Sequence, residues 1–246
     1  MSYPNSLDVF TNKINNFDEV MAEDVNELQN SIMASQAFFG TRIHMGWLPR
    51  PDGKRVSATS FTVEGNHTAL LKIGAKFRCT NGGATKYGYV LSSSYSAGTG
   101  RTTVKLVPND SYSLAAGTLT QVYVSYANPP DFPAWFDYFA TSTITGWSSP
   151  TGGLRFKMVG NQVFVDFHIS GTSNATIARF TLPVPHAAGW HTRMGIIAQN
   201  NGTQIQGYMQ MPQNASQVEF YTTIGYGGWA DSGTKAVAGQ FFYEGK

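Results

Sequence analysis

Leu154-Arg155-Phe156-Lys157-Met158-Val159-Gly160-Asn161-Gln162-Val163-Phe164-Val165-Asp166-Phe167-His168-Ile169 is the stretch that decides the fold. Leu154, Phe156 and Met158 alternate with polar residues, and past Gly160-Asn161 the alternation resumes at Val163, Val165, Phe167 and Ile169. A period of two places one set of side chains on one face of a strand, and a Gly-Asn pair between two such runs turns the chain back on itself. This is a β-hairpin. A second hairpin is expected where Asn201-Gly202 separates residues 193–199 from 203–211, because Asn-Gly favours the tight turns that match strand twist. Ile177, Phe180 and Leu182 mark a further strand ahead of Pro183-Val184-Pro185. Residues 217–222 and 237–243 bring the total to seven or eight. That number suits a β-sandwich or jelly-roll head over residues 141–246.

Upstream, residues 54–127 read as a small β-barrel or sandwich module. Short strands are expected at 60–63, 69–73, 76–80, 86–92, 102–107 and 121–126, with Asn81-Gly82-Gly83 turning between two of them. Asn128-Pro129-Pro130-Asp131-Phe132-Pro133 ends the module, and residues 128–140 read as a Pro-rich linker. Three prolines this close together favour an extended spacer.

Residues 1–53 read as an arm and a helix, the one helical pattern in a mainly β chain. Met21, Val25, Leu28 and Ile32 are apolar at alternating spacings of four and three. Asn16 and Glu19 can form a capping-box-like start, and Gly40 supplies a left-handed stop. The seam is too short to be a stable coiled coil by itself. It packs on the β domain, or it pairs with the same helix of other copies as a short trimerisation element.

Composition narrows the function classes. Only 13% of residues are charged while 26 are Gly and 13% aromatic, which suits β-structure with tight turns and a surface covered by neighbours. The net charge of +2 and the absence of a basic run with interleaved aromatics argue against nucleic acid. Up to Ser35 there are six acids and one base, so the start of the chain is an acidic arm. Cys79 stands alone, which excludes a disulfide framework and a cysteine metal site, and in Lys76-Phe77-Arg78-Cys79-Thr80 it reads as a small buried hydrophobe. Met1–Phe10 has neither a basic nor an apolar leader region, and no segment is long and apolar enough to span a membrane.

Reactive constellations are sparse. Beyond Phe139 the acids are Asp166, Glu219, Asp231 and Glu244, few for a pair of catalytic carboxyls across a sugar ring. No Gly-x-Ser-x-Gly, phosphate loop or His-Glu-x-x-His occurs. His186 and His191 flank a short loop without a third ligand nearby, and His168 sits on a strand face. No cofactor, metal or catalysis is therefore expected. Binding has more to stand on. Tyr221-Thr222-Thr223-Ile224-Gly225-Tyr226-Gly227-Gly228-Trp229-Ala230-Asp231 puts two aromatics on a glycine-rich loop. Aromatic faces stack on sugars, and glycines let backbone approach a ligand. Trp190, Tyr226, Trp229 and Asp231 are the expected receptor contacts; alternatively the aromatics fill the core or an interface between copies.

Several phrases resemble bacteriophage tail fibre, baseplate and receptor-binding virion proteins. Ala22-Glu23-Asp24-Val25-Asn26-Glu27-Leu28-Gln29 resembles the helix that opens many of them. Ser60-Phe61-Thr62-Val63-Glu64-Gly65-Asn66-His67-Thr68-Ala69, with Ile73-Gly74-Ala75-Lys76-Phe77-Arg78 and Thr102-Thr103-Val104, resembles a small β module recurrent in phage fibres. Phe180-Thr181-Leu182-Pro183-Val184-Pro185 resembles trimeric jelly-roll heads. The resemblance implies a non-enzymatic homotrimer with Met21, Val25, Leu28 and Ile32 at its trimer seam. It implies an N-terminal arm attached to other virion proteins, a head contacting a host-surface glycan, and a virion protein made in the host cytoplasm. A purely structural fibre and a polysaccharide-degrading head are the alternatives.

Overall fold

The computed structural model describes residues 27–33, 46–187 and 191–246. It is mainly β, as the alternating patterns predict. Residues 27–33 form α1, the one helix among the described residues, with Leu28 and Ile32 exposed to solvent. Met21 and Val25, the other half of the seam, lie outside the described residues.

Seven strands make the first unit: β1 (Leu48–Pro49), β2 (Gly53–Ser57), β3 (Ser60–Glu64), β4 (Lys76–Asn81), β5 (Ala84–Ser96), β6 (Arg101–Leu106) and β7 (Thr118–Ser125). Six of them close into an antiparallel barrel in the order β7-β2-β3-β6-β5-β4, with β4 returning to β7. Closure leaves no free sheet edge. The two-residue β1 shares one side of β7 with β2, pairing at Tyr123–Val124 while β2 pairs at Thr118–Leu119. Phe61 and Phe77 stack at 4.7 Å inside the barrel among Val63, Cys79, Val90, Val104 and Leu119, all buried. The β4–β5 turn has Gly82 and Gly83 both at positive φ (61° and 76°), which a side chain would oppose.

Residues 69–73, expected as a strand, are a turn closing one end of the barrel. Asn66 starts it by accepting a hydrogen bond from the Thr68 backbone N–H at 3.2 Å, and the N–H groups of Leu70 and Leu71 then bond back to the His67 carbonyl. The side chain of Asn66 thus offers the backbone a local alternative to a ladder, and Leu71 plugs the barrel end.

Nine strands make the second unit: β8 (Phe136–Asp137), β9 (Ile144–Thr145), β10 (Thr151–Val159), β11 (Gln162–Thr172), β12 (Arg179–Thr181), β13 (Thr192–Asn200), β14 (Thr203–Met211), β15 (Gln217–Tyr221) and β16 (Thr234–Glu244). They form one sheet in the order β8-β10-β11-β16-β13-β14-β15-β12-β9. Phe167 of β11 nevertheless touches Phe220 of β15 at 5.3 Å and Phe180 of β12 at 5.7 Å, across the intervening β16, β13 and β14. The sheet therefore curls until its two halves face each other like a sandwich, over an aromatic core. Both expected hairpins form: β10–β11 turns at Gly160-Asn161, and β13–β14 turns at Asn201-Gly202 with both residues at positive φ.

The Pro-rich segment joins the units without behaving as a solvated spacer. Phe132, Phe136 and Tyr138 are buried, and Tyr89 of the barrel packs on Phe132 at 5.1 Å, Phe136 at 5.2 Å and Phe156 at 6.2 Å. Apolar side chains interleaved with and following the prolines give the segment a reason to pack that its prolines do not reveal. At the same junction Asp131 accepts hydrogen bonds from Trp47 Nε1 (2.8 Å) and Arg78, while the Arg78 guanidinium lies between the Trp47 and Tyr123 rings. Burial works to raise the Asp131 pKa, but these two donors outweigh it and hold the carboxyl below its usual range.

Candidate functional site

The outer face of β13, β14, β15 and β12 brings tyrosines, arginines, a glutamine and a glutamate together. Cross-strand register decides which residues meet there. Tyr208 on β14 stands opposite Gly195 on β13 and Tyr221 on β15. In the next row, Arg193, Gln210, Glu219 and Arg179 follow one another across the four strands. Gly195 sets no side chain against Tyr208, and the Gln206 amide lies 3.5 Å from where its Cβ would stand. Beside Tyr221 the chain leaves the sheet, and the loop brings Tyr226 back over it.

That loop is held by its own threonines. The Thr222 N–H donates to the Gly227 carbonyl at 2.9 Å, the Gly227 N–H to Thr223 Oγ1 at 3.1 Å, and Thr222 Oγ1 to the Gly228 carbonyl at 3.1 Å. Tyr226 has φ of 63°, the left-handed region that a non-glycine residue enters at a cost of roughly 1–2 kcal/mol. The conformation sets its ring edge-on to Tyr221 at 5.0 Å and to Tyr208 at 6.4 Å, with the Arg193 guanidinium 5.8 Å from its centroid. Tyr226 is 45% exposed. Three tyrosines and an arginine thus form an open platform of apolar ring faces and polar rims.

Hydrogen bonding beneath the platform is uneven. Glu219 accepts from the Tyr221 hydroxyl at 2.7 Å and from Gln217 Nε2 at 3.2 Å. Burial first, then the bond to Glu219, pushes the Tyr221 hydroxyl up to about 12, so it stays a donor at neutral pH. Gln210 is only 9% exposed, yet its side-chain oxygen is buried and has no partner among the described residues. Buried acceptors are normally satisfied, and leaving one empty costs roughly 1–3 kcal/mol.

Next to this platform the sheet opens. β13 and β16 pair only from Ile197–Ala238 to Asn200–Lys235 and then part. The gap is a cleft of about 490 Å³ whose lining includes Thr192, Arg193, Gln240, Phe242 and Glu244. Arg193 therefore belongs to both the platform and the cleft.

The expected receptor contacts separate in the structure. Tyr226 is at the centre of the platform. Trp229 is only 3% exposed; its indole N–H donates to the Phe220 carbonyl at 2.8 Å, and its ring faces the Lys235 ammonium at 5.5 Å. It is a core side chain that anchors the loop's return, which corrects its assignment as a receptor contact. Asp231 is exposed, on a stretch held against the β13–β14 turn by the Ala230 N–H bonding Asn200 Oδ1 at 2.9 Å. It forms no hydrogen bond or ion pair among the described residues. Trp190 lies outside the described residues.

Sequence reasoning missed Tyr208, Gln210, Tyr221 and Arg193 as site residues. The one available signal was the outward set of β14, Gln204, Gln206, Tyr208 and Gln210, unusual in lacking any charge.

Four other titratable groups of the head are occupied locally. Asp166 accepts from Arg155 at 2.7 Å and Gln240 at 3.2 Å, and Glu244 from Asn161 at 2.7 Å. His186 is buried, with Nδ1 3.2 Å from the Pro212 carbonyl and its ring on Tyr243. Lys235 is fully buried beneath the loops, and its ammonium donates to the carbonyls of Gly146 (3.0 Å), Ala175 (2.7 Å) and Ile177 (2.9 Å). Burial lowers its pKa to about 8. Among the described residues no His/Cys/Asp/Glu group could hold a metal ion, and no helix is long and apolar enough to cross a membrane.

No protein-family model matches this chain, and no curated protein matches it. Among solved structures, a reovirus attachment protein, sigma1, in complex with α-2,3-sialyllactose is 12% identical over 69% of this chain and 95% of that one, with a TM-score of 0.24. A likeness that slight bears on neither the fold nor the ligand.

Proposed function

We propose that the chain is a non-enzymatic phage virion protein of the tail, baseplate or fibre, a homotrimer that binds a host cell-surface glycan through its head. The observation that carries the reading is the open Tyr208–Tyr221–Tyr226 platform. Sugars offer apolar ring faces to aromatic side chains and hydroxyls to the polar rims around them. The strained φ of Tyr226 points the same way, because such strain persists where the surrounding structure enforces a functional geometry. The phage phrases in the sequence supply the virion setting, the attachment of the N-terminal arm to other virion proteins, and the three-fold assembly.

Tyr226→Ala removes the central ring while leaving the sheet beneath it intact. Adsorption of the purified full chain to host cells should fall about tenfold or more, consistent with roughly 1–3 kcal/mol for a stacking aromatic. Thermal unfolding should stay within a few degrees of wild type. Unchanged adsorption would sink the reading.

A further inference from the structure

Resting on that reading of the tyrosine platform as a glycan site, we infer that the glycan is acidic and that Arg193 receives its carboxylate. Arg193 is exposed at the rim of the platform and makes no hydrogen bond or ion pair among the described residues. Its guanidinium, a planar fork of donors, lies 5.8 Å from the Tyr226 ring centroid. A fork of that shape matches a carboxylate in two parallel hydrogen bonds.

The charges around it leave room for an anion. Glu219, two strands away in the same row, is engaged by Tyr221 and Gln217 and faced across β12–β15 by Arg179. The row therefore holds two guanidiniums against one carboxylate, neither of them in an ion pair among the described residues, and Arg193 is the one beside the Tyr226 ring. On the cleft side the acid among the lining residues, Glu244, is bound by Asn161. Gln210 stands directly opposite Arg193 on β14, a neutral side chain that sets no negative charge against an anion. One acidic sugar serves both exposed groups: its carboxylate on Arg193 and its ring face on Tyr226.

The test uses the full-length protein on an array of carboxylated oligosaccharides printed beside their carboxyl-reduced forms, with wild type, Arg193→Gln, Arg193→Lys and Tyr226→Ala. Binding should be confined to carboxylated members and weaken as salt is raised. Arg193→Gln should lower it about tenfold or more at unchanged thermal stability, with Arg193→Lys between the two because it keeps charge and loses the fork. Equal binding to the reduced forms, or an Arg193→Gln variant that binds like wild type, overturns the acidic assignment. If Tyr226→Ala still abolishes binding in that case, the glycan platform itself stands. If no carbohydrate binds at all, the glycan reading and the inference fall together.

Discussion

The Cys79 thiol is sealed in the barrel on β4 with 1% exposure, and burial pushes its pKa up from 9.0 to about 12. Tyr243 is buried in the head, where it donates to the Val184 carbonyl at 2.7 Å, and burial raises its hydroxyl above the usual value. Both groups are neutral in the fold at a pH where the unfolded chain releases its proton. Their contribution is whole below about pH 9 and is lost as pH rises toward 12. Lys235 acts in the opposite sense, since its folded value of about 8 lies below 10.5, and stability is gained between those two pH values. The measurement is therefore a comparison of slopes. Urea midpoints of Cys79→Ala should fall less steeply than wild type between about pH 9 and 11, the window that the raised thiol value opens; parallel slopes would refute the assignment. At this scale Cys79 was legible, because a lone cysteine on an alternating strand has few other roles. Trp229 and Tyr226 were not separable, because facing inward or outward depends on a left-handed turn at a tyrosine that no local pattern announces.

Between elements, the barrel and the head meet through two glycines. Gly74 follows the turn that plugs the barrel and has φ of 76°, and a Cβ there would lie 1.7 Å from the Gly160 carbonyl oxygen in the β10–β11 turn. No side-chain rotation relieves a clash with backbone. Gly74→Ala must separate the two units locally and also adopt an unfavourable φ. It should destabilise the protein by about 2 kcal/mol or more and expose the Tyr89–Phe136 contact, read as earlier thermal unfolding and faster proteolysis near Pro130. The hairpins on either side were legible from alternation and turn residues. The two-residue strands β1, β8 and β9 were not, because pairs that short owe their existence to what distant residues pack above them.

For the whole molecule, two apolar surfaces stand exposed among the described residues. One is the α1 seam, with Leu28 47% and Ile32 46% exposed; the other is the outer face of β16 and β13, with Phe242 63% and Ile197 65% exposed. Around Ile197 the small residues Gly195, Ala238 and Gly239 leave a hollow beside the projecting side chain. Covering both surfaces with copies of the same chain fits the proposed trimer. Sedimentation should give three times the 26.8 kDa chain mass. Ile197→Lys with Phe242→Lys should shift it toward monomer, since each buried apolar side chain is worth roughly 1.5–3 kcal/mol and a buried unpaired charge costs more. A monomer in the wild type would refute the assembly. Strand number and hairpin register could be read from the sequence. The curl that brings β11 against β15 and β12 could not, because it follows from sheet order, which local periodicity does not encode.

The latch at Asp131 has a mechanical consequence. In a protein held by its N-terminal arm and loaded at its head, tension enters the described structure beside Trp47. The two-residue β1 is a weak hold, but the Trp47 indole is bonded to Asp131, 84 residues further along the chain, and Arg78 is clamped between them. The latch thereby gives load a short route from the anchor to the segment that joins barrel and head, in parallel with the path through the barrel, and Arg78 of β4 ties the barrel wall into it.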